Sequence, residues 1–100
     1  MGQTCQGKQI IGFFKAVCDL NRHKILHLIK KNGEMNASEI VDKINLSQPT
    51  ISHHLKILVE AEVIASRRAG KETYYKVNEK FINHCCHGFA QDICSKRSQK

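Results

Sequence analysis

Apolar residues recur along this chain with a helical period in several windows and with strand-like composition in one. Ile10, Phe13, Phe14, Val17 and Cys18 fall at i, i+3, i+4, i+7 and i+8, a full helical stripe. Cys18 is therefore expected in the core as a small hydrophobe rather than as a ligand. Asp19 or Asn21 can cap a second helix whose buried face is Ile25, Leu28 and Ile29, with Lys30 and Lys31 favouring the dipole of its last turn and Gly33 ending it. Asn36, with Glu39 three positions on, predicts a capping box for a short third helix carrying Ala37, Ile40, Val41 and Ile44. Only Asn45 and Leu46 separate that helix from the next start at Ser47. So short a link allows nothing but a tight turn between helices set at a steep angle.

The following stretch, residues 45–61, combines a helix start, a buried stripe and a polar front. Ser47 can accept an N–H from the first turn, and Pro49 lies within that turn, where a missing donor does no harm. Ile51, Leu55 and Leu58 form the apolar stripe; Ser52, His53 and Lys56 lie opposite, with Gln48 and Thr50 in the first turn and no acidic residue before Glu60. Short donor-rich side chains with a cation at the far end suit base edges and phosphates. Taken alone, the same pattern also describes an ordinary amphipathic surface helix. The preceding short helix and tight turn favour the first reading, because together they make a helix-turn-helix whose second helix enters a major groove.

Beyond Ala61 the period changes. Val63, Ile64 and Ala65 begin a strand-like run, Ala69 and Gly70 supply a turn, and Thr73, Tyr74, Tyr75, Lys76 and Val77 form a β-branched and aromatic second run. The hairpin carries Arg67, Arg68 and Lys71 near its tip, offset only by Glu72. Placed directly after the polar helix, it is expected to act as a wing along a phosphate backbone. A last helix from Glu79 to about Lys96 presents Phe81, Ile82, Cys85, Phe89 and Ile93 on one face. Nothing follows to cover that face, so it is expected to pack on the first helix and on a second copy in a two-fold dimer.

Composition narrows the partners. One hundred residues with 41% hydrophobic content and both signs of charge fit one small globular domain, and a net charge of +7 attracts polyanions. Residues 1–9 read as a flexible leader, 10–95 as the DNA-binding and dimerisation domain, and 96–100 as a polar tail. No apolar run approaches the roughly 18 residues of a membrane span, the N-terminus lacks the apolar core of a signal peptide, and Gln6 stands where a myristoylation signal needs Ser or Thr. The chain is therefore expected to be cytoplasmic, without a membrane partner. Five cysteines are an odd number and lack zinc-finger spacing, which argues against a disulfide framework. His23 and His27 stand one turn apart with no third ligand beside them, so they read as solvated polar-face residues. Paired carboxylates, a nucleophile beside a base and a Gly-rich phosphate loop are all missing, and no enzymatic role is expected.

The order of elements, with the strings LSQPTISHHLKIL and VIASRRAGKETYYKV, resembles the ArsR/SmtB family of bacterial and archaeal repressors over roughly residues 10 to 93. The fold class this implies is mainly α with a small β-hairpin, a dimeric winged helix-turn-helix. The resemblance further implies a homodimer on double-stranded operator DNA, released by a metal, metalloid or thiol-reactive species. By position, Gln48, Thr50, Ser52 and His53 would face bases or flanking phosphates, and Lys56, Arg67, Arg68 and Lys71 would contact phosphates. His54 points toward the buried side and takes a structural role. The family's Cys-x-Cys before the recognition helix is replaced here by Asn36 and Ser38. Of its last-helix zinc site only Glu79 matches, since Phe81 stands where a histidine belongs and the later positions are Asp92 and Ser95.

Cys85, Cys86 and Cys94, with His84 and His87 nearby, are the remaining candidates for a metal or thiol sensor, taking arsenite or Zn. Two readings of them stand side by side. Either they sense, through a metal or through oxidation that pairs Cys86 or Cys94 with Cys18 or with a partner subunit, or they pack at the dimer interface with Cys94 left unengaged. Function therefore reads as a sequence-specific DNA-binding repressor, set against a constitutive DNA-binding regulator without a sensor or a winged-helix protein-interaction module. An intact basic wing beside a donor-rich helix separates DNA binding from the last of these, because an interaction module has no use for it.

Overall fold

The computed structural model describes residues 7–94, in which helices and short strands follow the order α1 (Gly7–Val17), α2 (Leu20–Asn32), β1 (Met35–Asn36), α3 (Ala37–Lys43), α4 (Gln48–Glu60), β2 (Ile64–Ala69), β3 (Glu72–Val77) and α5 (Glu79–Cys94). The expected polar tail at 96–100 and the first six residues of the expected leader lie outside the described residues. Gly7, Lys8 and Gln9, also assigned to the leader, instead form the first turn of α1.

Capping chemistry sets most of the boundaries. Asp19 caps α2 by accepting the Arg22 N–H at 3.0 Å, and Gly33 ends that helix at φ +85°, which an L side chain rarely adopts. Asn36 and Glu39 form the reciprocal capping box of α3, both bonds at 2.9 Å. The Ser47 hydroxyl accepts the Thr50 N–H at 3.4 Å and donates to the Thr50 hydroxyl at 2.9 Å, with Pro49 tolerated in the first turn.

Between these ends the apolar stripes meet in one core. Ile25 and Ile29 of α2, Ile40 of α3, Ile51 and Leu58 of α4 and Cys85 of α5 are fully buried together. Each large aliphatic side chain gains about 1.5–3 kcal/mol on burial, a sizeable part of a small domain's net stability of about 5–15 kcal/mol. Phe13 of α1 meets Phe81 of α5 edge-on at 6.4 Å between centroids, so the first and last helices pack against each other.

Cys18 departs from expectation. It is exposed, because α1 stops at Val17 and the chain bends before the Asp19 cap; Ala16 takes the buried place instead. The expected hairpin is also part of a larger unit, a three-stranded antiparallel sheet of order β1-β3-β2 in which Met35 pairs Tyr75 and Asn36 pairs Tyr74. The β2–β3 turn is Gly70–Lys71, with a positive φ of 65° at Gly70, as a two-residue hairpin loop requires of its first position.

The end of α4 leads into β2 without slack. Val63 N–H donates to the Leu58 carbonyl and Glu62 N–H to the Val59 carbonyl, both at 2.9 Å, which is a complete Schellman motif. Its left-handed position is held by Glu62 at φ 65° rather than by glycine, while Val63 and Leu58, the apolar pair that accompanies such a motif, are both fully buried. Asn78 closes the same corner: its side chain donates to the Glu62 carbonyl and its backbone N–H to that of Val63.

Candidate nucleic-acid interface

The amphipathic division of α4 places Ile51, Leu55 and Leu58 inward and leaves Gln48, Ser52, His53 and Lys56 exposed along the front, with Thr50 half-buried at its start. No acidic residue interrupts this front before Glu60. Thr50 is partly committed to the cap, since its hydroxyl already accepts from Ser47. Ser52 and Lys56 line a shallow groove whose far wall is Ser66 of β2 and Tyr75 of β3. Ser66 and Tyr75 are register partners, and strand alternation puts Arg68 on the same sheet face as Ser66. The structure thus brings Ser52 and Lys56 of the α4 front and one face of the wing onto a common groove, with Glu60 at the end of α4 also lining it. Arg68 is exposed and donates to the Gly70 carbonyl at 3.1 Å, and Lys71 is exposed at the turn.

Arg67 is differently placed. It lies on the opposite sheet face, where its guanidinium makes two hydrogen bonds to the Glu34 carboxylate, at 2.8 and 2.9 Å, and sits 5.1 Å above the Tyr74 ring. It reaches from β2 across β3 to the residue just before β1, and so braces the sheet rather than projecting into the groove. The same bonds hold the Glu34 carboxyl below its ordinary range and raise the Arg67 guanidinium further. Glu34 and Tyr74 carried no signal in the sequence, because a pair 33 residues apart is brought together only by the β1–β3 pairing.

His53 and His54, adjacent in sequence, have opposite surroundings. His53 is exposed on the front. His54 is buried, its Nδ1 lying 3.3 Å from a terminal nitrogen of Arg22, and burial pushes its pKa below the ordinary histidine value. Arg22, a residue without a motif, is the neighbour of His54 that sequence reading missed.

The α5 cysteines do not converge within one chain. Cys85 is fully buried, whereas Cys86 and Cys94 are exposed. At a helical rise of about 1.5 Å per residue, Cys94 lies about 12 Å along the axis from Cys86, too far for a shared ion. Among the described residues no group of three or more His, Cys, Asp or Glu side chains is placed to hold a metal. The exposed His23 and His27 rings meet edge-on at 4.6 Å between centroids, flanked by Lys24 and Lys31.

Comparison with known proteins bears directly on this arrangement. A family model described as bacterial regulatory protein, arsR family, matches residues 19–66, from the cap of α2 into β2. The transcriptional repressor SdpR of Bacillus subtilis is 51% identical over 65 residues, which span 65% of this chain and 71% of that protein. The chain belongs to the arsR family. An arsenical resistance operon repressor of Staphylococcus xylosus is 34% identical over 77 residues, 77% of this chain and 73% of that one. Among solved structures, an ArsR-like transcriptional regulator from Rhodococcus sp. RHA1 matches with a TM-score of 0.82 at 21% identity, over 92% of this chain and 85% of that one. HlyU from Vibrio cholerae matches at 0.70 and 19%, over 94% and 99%. At those identities the likeness is one of fold, the winged helix-turn-helix. This arsR-family chain is a DNA-binding transcriptional regulator, and among the described residues no helix is long and apolar enough to cross a membrane.

Proposed function

We propose that this arsR-family regulator represses transcription as a cytoplasmic homodimer bound to an inverted-repeat operator. In this reading α4 reads base edges with Gln48, Thr50, Ser52 and His53, while Lys56, Arg68 and Lys71 hold phosphates and Arg67 braces the wing. The observation that carries it is the shared groove: Ser52 and Lys56 of the α4 front face Ser66 and Tyr75 of the wing across one concavity, with Arg68 on the same sheet face as Ser66. Ser52 and Lys56 on one wall and Ser66 on the other offer hydroxyls and a cation, the chemistry that suits base edges and phosphates.

Dimerisation draws support from the α1–α5 side. Ile11, Phe89 and Ile93 are 61%, 41% and 64% exposed there, and Phe89 stacks edge-on with the half-buried Phe14 at 5.3 Å. An apolar surface of this kind on two helices suits a self-complementary two-fold contact, which would also space two recognition helices for an inverted repeat.

For release, a three-thiolate site within one chain forms no part of the reading, given the separation along α5. The exposed thiols of Cys86 and Cys94 are the candidates for metalloid or oxidant chemistry, whereas Cys85 packs against the core. Fluorescence anisotropy with an inverted-repeat duplex over a salt series tests the DNA half, and affinity no better than for random DNA would defeat it. Operator release by arsenite, Zn²⁺ or an oxidant tests the other half: equal release from the wild type and from a Cys86→Ser, Cys94→Ser double variant removes these thiols from the mechanism.

A further inference from the structure

Arg22 stands at the corner where α1 gives way to α2 and is tied there on several sides. Its backbone N–H donates to Asp19 Oδ1 at 3.0 Å, its Nε–H donates to the Ala16 carbonyl at 2.7 Å, and Nη2 lies 3.9 Å from Asp19 Oδ2. Nη1 lies 3.3 Å from Nδ1 of His54, the buried polar side chain of the core at 8% exposure. A guanidinium has donors only. The contact is therefore a hydrogen bond only when Nδ1 offers a lone pair, which makes the ring neutral with its proton on Nε2.

We propose that Arg22 is a positioning residue for DNA reading: through a neutral His54 ring it seats the recognition helix on the α1–α2 corner, and a proton on that ring unseats it. This rests on the base-reading role of α4 given above. The groups around the ring are few. From α2 come Arg22 and the Asp19 cap; from α4 itself comes His53, 6.0 Å away between ring centroids; Lys15 of α1 and Glu60 of α4 line the adjoining groove beside Arg22. Burial disfavours the charged ring, Asp19 partly offsets this, and Arg22 and His53 add to it.

Once Nδ1 is protonated, two N–H donors face each other and two cations share one carboxylate. Asp19 and Ala16 keep Arg22 on the corner, so α4 is the partner that gives way. Its base-facing side chains begin one residue from His54. Base readout needs those side chains in register, while attraction to phosphates does not, so acid should erode sequence preference before it weakens general DNA binding.

The test uses fluorescence anisotropy of the full chain at constant ionic strength between about pH 8 and pH 5.5, the range of histidine titration. One duplex is recovered from a randomised pool by selection on the protein at the higher pH, and the other is its scramble. For the wild type we expect the preference for the selected duplex to fall about tenfold on acidification, a usual size for coupling between sites. His54→Asn, whose amide oxygen stands near the place of Nδ1 and cannot be protonated, should hold its preference across the range. His54→Gln replaces it where circular dichroism shows the asparagine variant unfolded. Arg22→Met should start with a reduced preference and lose no more, whereas His53→Gln, which removes a base reader, should lower the preference at both ends of the range and still show the fall on acidification. A flat wild-type profile, or a parallel fall in the unprotonatable variant, overturns the seat while leaving DNA reading intact. Failure to select any duplex preferred over its scramble at the higher pH overturns the base-reading role itself.

Discussion

The two sides of this molecule are finished to different degrees. On the side of α3, α4 and the wing, helix starts are capped, the tight turn is supported, and no large apolar side chain is exposed among the described residues. On the side of α1 and α5, large apolar side chains stand in solvent and the cysteines scatter along the helix. The first side needs only a polyanion to complete it, and the second needs an apolar surface. The difference fits the proposed reading, in which one side meets DNA and the other a second copy of the chain.

The largest expected effect comes from breaking the second side. Replacing Phe89 and Ile93 with glutamate places charge on the exposed apolar face, so sedimentation should find monomers. Operator affinity should fall about a hundredfold or more, because linked binding of two half-sites commonly contributes 10²–10⁴. Retention of the dimer would place the interface elsewhere.

A smaller effect is expected on the first side. Arg68→Ala should weaken binding to all DNA alike and reduce the slope of log affinity against log salt by about one, as loss of one phosphate contact does. A loss confined to one sequence would instead make Arg68 a base reader. Arg67→Ala offers the contrast: with its guanidinium already held by Glu34, it should change the salt slope less than Arg68→Ala does.

Smaller still is the response at the joint between helix and wing. Glu62→Gly relieves a left-handed residue at φ 65° and should raise stability by about 0.5–1 kcal/mol, measured by denaturant or thermal unfolding. A loss of stability would mean that the Glu62 side chain contributes more than its backbone costs.

The smallest effect concerns the exposed brace. The Arg67 hydrogen bonds hold the Glu34 carboxyl below its ordinary value of 4.5, so the native state binds fewer protons there than the unfolded chain. Its contribution is fully present above pH 4.5 and is lost as pH falls through the lowered value. Glu34→Gln should flatten that acid limb of the thermal melting curve and change little at neutral pH. An acid limb equal to that of the wild type would dismiss the brace.

Local chemistry was legible in the sequence. The Asn36–Glu39 box, the Ser47 start, the strand runs and the divided histidines each follow from residues within a few positions of one another. What escaped depends on contacts made at long range. A two-residue strand such as β1 has no periodicity to read, and Arg67–Glu34 and Arg22–His54 are joined only by the finished fold. Cys18 was misplaced because a stripe continues on paper after the helix carrying it has turned away. In the candidate interface the front of α4 was legible from its donors, but two neighbouring arginines in a strand look equivalent until the sheet assigns them to opposite faces.

The Schellman corner at Glu62 has a mechanical consequence. With Val63 bonded to Leu58 and Asn78 bonded across the bend, the joint between helix and wing has no slack, and the two are expected to move as one arm. Under the proposed release, a signal from the far helices is therefore expected to move wing and recognition helix together. In the proposed dimer, departure from DNA is then expected as a tilt of the whole arm, with the distance between the two arms as the quantity a signal would have to change.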